Sequence, residues 1–222
     1  MQSAGSAPQR NAETAMPDAA ELICHLTHEL RQPLSGIESA AYYLDMVVSE
    51  ARPDLIPHCR RLRAMVQHAN WLLDDAALCA MFQPSAAACS LAAVFEDVSR
   101  RMLAEDEAVL DLHLECEGRV AAPGLLPRLA GHLVAFFRDV AGCHDPIHAG
   151  VREGGPGWVA ARIWAGGCED ARDAARMLKA AGECGFLGRF LAAAGGAFEV
   201  QAEESAQRLA LTLRLPAAEQ GG

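Results

Sequence analysis

His28 is the residue of this chain whose type and position are best suited to chemistry. Taking about 100° of rotation per residue, the apolar side of the helix predicted around it centres on Leu30 and Ala41, and His28 lies roughly 165° from that centre. Gln32 and Ser35 lie within about 40° of His28 on the same projection. We therefore expect the imidazole, which can exchange a proton near neutral pH, on a polar surface that faces solvent.

Pro33 favours a function over an ordinary solvated histidine. Inside a helix it removes the hydrogen bond to the Glu29 carbonyl and bends the backbone one turn from His28, at a cost of about 3 kcal/mol. The surrounding sequence is otherwise well suited to a helix. Such a cost is seldom kept without a reason, which directs attention to the residues beside the histidine.

Residues 28–34 (HELRQPL) resemble the phosphoacceptor box of sensor histidine kinases, in which His-Glu-Leu-Arg is followed by a variable residue, proline and leucine. The resemblance extends over the whole helical hairpin described below. It implies that the imidazole of His28 accepts a phosphoryl group. It also implies that Glu29 orients the ring and accepts its proton, and that Gln32 positions water for dephosphorylation.

Two long helices are predicted to position these residues. Apolar residues recur every three or four positions from Ile23 to Val48, and again from Leu55 to Ala80, on either side of a break at residues 52–54. Two long helices joined by a short turn form an antiparallel hairpin, which we predict over residues 18–83. One hairpin covers only part of such a stripe, so we expect a homodimer with a four-helix bundle.

The sequence from residue 90 to residue 216 alternates between helical and strand periods. It predicts an α+β region with an antiparallel-rich sheet and helices packed on one face. The order of its elements is similar to the ATP-binding domain of histidine kinases, so the expected second domain is a degenerate ATPase-like α/β sandwich. We expect residues 1–17, which lack apolar periodicity, and residues 217–222 to be disordered.

The nucleotide motifs of that family are missing from the second region. Ala135 and Asp139 stand where its asparagine box has two asparagines, and residues 163–168 (IWAGGC) lack the aspartate that reads adenine. The glycines of residues 181–188 are out of register for binding phosphates, and Glu183 would repel them. Asp170 falls at a predicted helix start, where an acidic residue is ordinary. No cofactor is therefore expected, ATP included, and Mg²⁺ would come from a receiver partner.

Composition excludes several other classes of protein. The formal net charge of −10 opposes nucleic acid and favours a protein partner. No segment is long and apolar enough for a membrane span or resembles a secretory signal, so we expect a cytoplasmic protein. The eight cysteines lack metal-ligand spacing and are predicted to be buried thiols.

The remaining histidines give weaker indications. His25 lies one turn before His28, and such a pair can bind a metal, but no third ligand is visible in the sequence. His132, His144 and His148 show no spacing that resembles a site. No metal site is expected.

A retained acceptor and a lost ATP site predict a histidine phosphotransferase of a two-component phosphorelay. It would pass phosphoryl groups between His28 and the receiver aspartates of response regulators, with a hybrid sensor kinase as a further candidate partner. The alternatives are a divergent ATP-dependent sensor histidine kinase and an inert adaptor or inhibitor. In the resembled family, exposed bundle residues near the acceptor determine which partner binds. The corresponding residues here are Arg31, Ser35, Ser39, Tyr42, Tyr43, Arg60 and Arg63.

Overall fold

The computed structural model describes residues 18–48, 52–106 and 109–218. The N-terminal segment predicted to be disordered, residues 1–17, and residues 219–222 of the predicted tail lie outside the described residues. Ala217 and Ala218, at the start of that tail, donate backbone hydrogen bonds to Gly157 and Arg119.

Two antiparallel helices form the N-terminal hairpin, as predicted. Helix α1 spans Ala19–Val48 and continues through Pro33, and helix α2 spans Ile56–Met81. A short 3-10 helix, Pro53–Leu55, precedes α2 directly. Pro57 lies in the first turn of α2, where its missing N–H leaves no hydrogen bond unmade.

The predicted apolar side of α1 divides into a buried face and an open face. Thr27 and Ala41 are 4% and 0% exposed. Leu26, Leu30 and Ile37 are 42–48% exposed within one chain. A single neighbouring helix covers only part of a stripe of this width, and the remainder of the apolar surface is open.

The second region contains one short two-stranded sheet, one five-stranded sheet and four helices. In chain order its elements are β1 (Ala86–Ser90), α3 (Leu91–Asp106), β2 (Leu110–Leu114), β3 (Arg119–Pro123), α4 (Leu126–Ala135), which continues as a π-helical turn (Phe136–Val140), β4 (Ile147–Glu153), β5 (Trp158–Ala165), α5 (Ala171–Cys184), α6 (Phe186–Ala194), β6 (Ala197–Glu203) and β7 (Arg208–Pro216).

The larger sheet has the strand order β2-β4-β5-β7-β6. Strand β2 pairs with β4 in parallel, and the other strand pairs of this sheet are antiparallel. Alternate residues of β7, among them Leu209, Leu211 and Leu213, are buried towards the core that helices α3 to α6 share. The prediction of an antiparallel-rich sheet with helices on one face is confirmed. Strand β1, which pairs with β3, has no alternating pattern and was not predicted.

The prediction that all eight cysteines are buried thiols is wrong. Cys143 and Cys168 form a disulfide with their Cα atoms 4.0 Å apart, and Cys24 and Cys184 are exposed. The two bridged residues also form an isolated β-bridge, a long-range contact that cysteine spacing does not reveal. Burial, and secondarily the Asp75 carboxylate, raise the pKa of the Cys79 thiol above its ordinary value, which keeps that thiol protonated.

Among the described residues, no helix has the length and apolar character needed to cross a membrane.

Helix α2 docks the hairpin onto the second region through Trp71. The indole stacks on His132 of α4, with ring centroids 4.5 Å apart, and its Nε1 donates a hydrogen bond to the His132 carbonyl at 3.1 Å. Its edge meets Phe136 at 5.0 Å. Both carboxylate oxygens of Asp75 accept a hydrogen bond from the Phe186 backbone N–H at 3.1 Å, at the start of α6. The hairpin and the second region therefore share one buried contact.

Replacing Trp71 by alanine should lower the free energy of unfolding by about 3–5 kcal/mol, because it removes a large buried side chain and leaves a cavity between α2 and α4. Urea unfolding followed by far-ultraviolet circular dichroism measures the change. Trp158→Ala, at a site that is 39% exposed, is the matched control and should cost about 0.5 kcal/mol. Equal effects of the two changes would show that the Trp71 contact does not hold the two parts together.

Candidate functional site

His28 lies on the first half of α1 and is exposed. The structure gives its imidazole no hydrogen-bond partner among the described residues. Glu29 and Gln32 are exposed on the same helix, one and four residues further on. An imidazole with a free nitrogen on the outside of a helix is open to a partner, which is the geometry that a phosphoacceptor requires. The ring-orienting role of Glu29 and the water-positioning role of Gln32 stay predictions.

Arg31 makes an ion pair with Asp74 of α2. The two side chains are 45% and 50% exposed, so the pair adds little stability, but it fixes the guanidinium on the α2 side of the acceptor helix. The sequence analysis named Arg31 as a partner-binding residue and did not name Asp74. Only the antiparallel register of the hairpin brings these two positions together.

A second contact between the helices involves two more of the predicted partner-binding residues. Arg63 lies 3.6 Å from the Asp45 carboxylate, and its guanidinium lies 5.7 Å from the centre of the Tyr42 ring. Tyr42 itself is 55% exposed, so it combines a contact within the hairpin with an open surface.

The other predicted partner-binding residues are exposed and occupy two places. Ser35, Ser39 and Tyr43 lie on α1. Arg60 lies on α2 and lines a cleft of about 740 Å³ between that helix and the second region. The structure thus does not gather the seven residues into one patch.

The cleft has walls of opposite charge. Arg60, Arg61 and Arg63 stand on the α2 side. The opposite wall carries the four acidic side chains Asp139, Glu169, Asp170 and Asp173. Asp170 accepts a hydrogen bond from the Asp173 backbone N–H at 2.8 Å and so caps α5, which agrees with its predicted place at a helix start.

Helix α4 and its π-helical turn, which carry Ala135 and Asp139, pack against α2. Ala135 and Asp139 line a second cavity of about 270 Å³ together with Trp71 and Asp74. The Asp139 carboxylate accepts a hydrogen bond from Arg138 Nε at 2.6 Å. Ala135 and Asp139 therefore lie on the side of this helical segment that faces the hairpin.

The loop after β5 is joined to the segment that follows the π-helical turn of α4. Backbone N–H groups of His144 and Asp145 donate to the carbonyls of Gly167 and Gly166 at 3.3 and 3.4 Å. A side chain at Gly166 would collide with the Asp145 carboxylate. The Cys143–Cys168 disulfide lies at the same junction, so the two segments are joined both covalently and through hydrogen bonds.

Comparison with known proteins gives a structural likeness and no sequence match. No protein-family model and no curated protein matches the chain. The fold is similar to histidine kinase ThkA, crystallised in complex with the response regulator protein TrrA, with a TM-score of 0.54 and 11% identity over 89% of this chain and 61% of that one. Full-length ShkA in complex with AMPPNP gives a TM-score of 0.49 and 21% identity over 92% of this chain and 47% of that one. For the Acinetobacter baumannii histidine kinase AdeS the values are 0.48 and 14%, over 86% and 98%.

The chain therefore has a histidine-kinase-like fold, with a hairpin of the dimerisation type followed by an ATPase-like α/β domain, as the sequence predicted. It spans 47% of the ShkA chain and 61% of the ThkA chain.

Proposed function

We propose that this protein is a histidine phosphotransferase that exchanges a phosphoryl group between His28 and the receiver aspartate of a response regulator, without ATP. The observation that carries the proposal is an exposed His28 in a complete HELRQPL box, on a fold whose nucleotide motifs are replaced.

The reaction needs no energy source beyond the donor. A receiver aspartyl phosphate and a phosphoimidazole are of comparable energy, so transfer runs in either direction. An imidazole nitrogen of His28 forms a bond to phosphorus while the bond from phosphorus to the aspartyl oxygen breaks, and the ring proton passes to the Glu29 carboxylate. The receiver supplies Mg²⁺, and the rigid hairpin supplies the position of the nucleophile.

The surroundings of Asp139 support the absence of ATP chemistry. A triphosphate in the 740 Å³ cleft would lie beside the carboxylates of Asp139, Glu169 and Asp173. The loop that lacks the adenine-reading aspartate is joined to the end of the preceding helical segment by the Cys143–Cys168 disulfide. Repulsion between carboxylates and phosphates opposes binding along this wall, and the arginines of the cleft, Arg60, Arg61 and Arg63, lie on the opposite wall, on α2.

Response regulators are the partners that this chemistry requires, and ThkA was crystallised with one. We assign receiver docking to the seven exposed or partly exposed hairpin residues named from the sequence, which form two contact areas, one on α1 and one on α2. A hybrid sensor kinase, which carries a receiver of its own, would be recognised in the same way.

We further propose that the protein is a homodimer. The open apolar row of α1 includes Leu22, Leu26, Leu30, Ile37 and Leu44, and α2 adds the exposed Leu62, Met65 and Leu72. An apolar surface that runs along both helices of a hairpin is covered when two hairpins form a four-helix bundle. A second copy of this chain is therefore the occupant that fits it.

Phosphoryl transfer to His28 tests the proposed function. Labelled phosphate from a panel of phosphorylated receivers should appear on the wild-type protein. His28→Ala should abolish labelling and leave receiver binding intact, and Glu29→Ala should slow it. His25→Ala, one turn earlier on the same helix, is the matched control and should transfer at the wild-type rate. If His28→Ala is labelled as well as the wild type, the acceptor is another residue. Tight receiver binding without transfer would identify an adaptor.

ATP should neither bind nor phosphorylate the protein. Calorimetry at millimolar ATP with Mg²⁺ should show no saturable heat, under oxidising conditions and after reduction of the disulfide, and His28 should stay unlabelled. Circular dichroism provides the control that the protein is folded in each sample. Saturable Mg²⁺-dependent binding would favour the divergent ATP-dependent kinase instead.

Leu30→Asp should weaken the dimer by about 3 kcal/mol, because it places an unpaired charge in the bundle. Ser39→Asp adds the same charge to the His28 face and should leave association unchanged. Val66 is 3% exposed within a single chain, so a charge there would unfold the hairpin and would not isolate dimerisation. Light scattering at micromolar protein measures the mass. A monomeric wild type would contradict the bundle.

A further inference from the structure

The outer face of the five-stranded sheet carries a histidine cluster that the proposed function does not use. Side chains of β2, β4 and β5 alternate between the buried core and this face. His113 of β2, His148 of β4 and Trp164 of β5 meet on it. The outer face is opposite to the one that packs on the helices.

The two histidines are separated as two ligands of one metal ion would be. His113 Nε2 lies 3.3 Å from His148 Nδ1. Two imidazole nitrogens bound to one tetrahedral zinc ion, at about 2.0–2.1 Å each, lie about 3.3–3.4 Å from each other. In the structure this distance is that of a hydrogen bond between the two rings, which an ion that takes both lone pairs would replace.

The strands and Trp164 hold the two rings in place. In the parallel pair of β2 and β4, Asp111 is opposite His148, so His113 is its diagonal neighbour. Trp164, opposite His148 in β5, stacks on its ring at 5.2 Å and 11° and lies 5.1 Å from the His113 ring. Ligands on rigid strands lose little freedom when they bind an ion.

The charges around the pair are balanced, with one carboxylate close to the metal-binding position. Asp111 Oδ2 lies 3.5 Å from His148 Nδ1, and Glu115 lies one residue beyond the end of β2. Arg152 and Arg162 lie on β4 and β5, and the Arg162 guanidinium is 5.5 Å from the centre of the Trp164 ring. A carboxylate this close to the two facing nitrogens attracts a divalent cation electrostatically.

We propose that His113 and His148 bind one divalent transition-metal ion of the zinc or nickel class. Imidazole nitrogens suit these ions. Because the described residues contain no group of three or more metal-binding His, Cys, Asp or Glu side chains, water completes the coordination and Asp111 acts from beside it. The ion would connect the edge strand β2 to β4 through side chains, in addition to their backbone hydrogen bonds.

Titration of the full chain with Ni²⁺ tests this site. Nickel is used because the free thiols would compete for zinc. The wild type should bind one ion saturably in calorimetry and gain thermal stability. His113→Ala and His148→Ala should each remove this binding, and Asp111→Asn should weaken it about tenfold. His25→Ala and His144→Ala, at exposed histidines elsewhere, are the matched controls and should bind as the wild type does.

Tryptophan fluorescence locates the ion even if an alanine variant fails to fold. Bound Ni²⁺ should quench the emission of the adjacent Trp164, and Trp164→Phe should lose that quenching while it still binds Ni²⁺. The proposal is overturned if the wild type shows no saturable binding, if folded His113→Ala binds as tightly as the wild type, or if quenching does not depend on Trp164.

Discussion

The contact of α2 with α4 and α6 determines how the hairpin and the ATPase-like domain sit together. Trp71 is 6% exposed and fills the space beside His132 and Phe136. Asp75, whose side chain is 13% exposed, lies 3.4 Å from His132 Nε2 and accepts the Phe186 backbone N–H. The partial positive charge of a helix N-terminus stabilises such a carboxylate. An apolar contact supplies most of the burial here, and the carboxylate fixes its register.

This contact gives α4 a structural role. The helical segment that carries Ala135 and Asp139 packs against the hairpin and lines the cavities beside it. The loop after β5 is joined to the end of the same segment. A domain used in this way supports the hairpin and borders the cleft that Arg60 lines.

The sequence predicted those elements whose pattern is local. Spacings of three and four residues reveal both hairpin helices because each helix carries an apolar side that recurs over many turns. Alternation of apolar and other residues reveals β7 because successive side chains of a strand point to opposite faces of the sheet. The HELRQPL segment predicted the candidate acceptor.

The remaining features depend on contacts between distant positions. Asp74 and Asp75 are ordinary acidic residues of a helix until the hairpin register and the α6 N-terminus supply their partners. His113 and His148 meet only because β2 pairs in parallel with β4, which is not the next strand along the chain. Contacts between helices, between strands and between the two regions thus cannot be predicted from the spacing of nearby residues. Each of them joins residues whose types are ordinary for the element that carries them.

The faces of α1 separate the candidate acceptor from the open apolar residues. With about 100° per residue and His28 at zero, Gln32 and Ser35 lie within about 40° of it, and Leu30 and Ile37 lie at about 180–200°. Ala41 lies at about 220°, on the side that α2 covers. The two apolar faces are therefore adjacent and the acceptor is opposite to them. In the proposed homodimer a second hairpin would bury the open leucines while His28 stays on the outside, so the proposed dimerisation and the proposed receiver docking would use different surfaces.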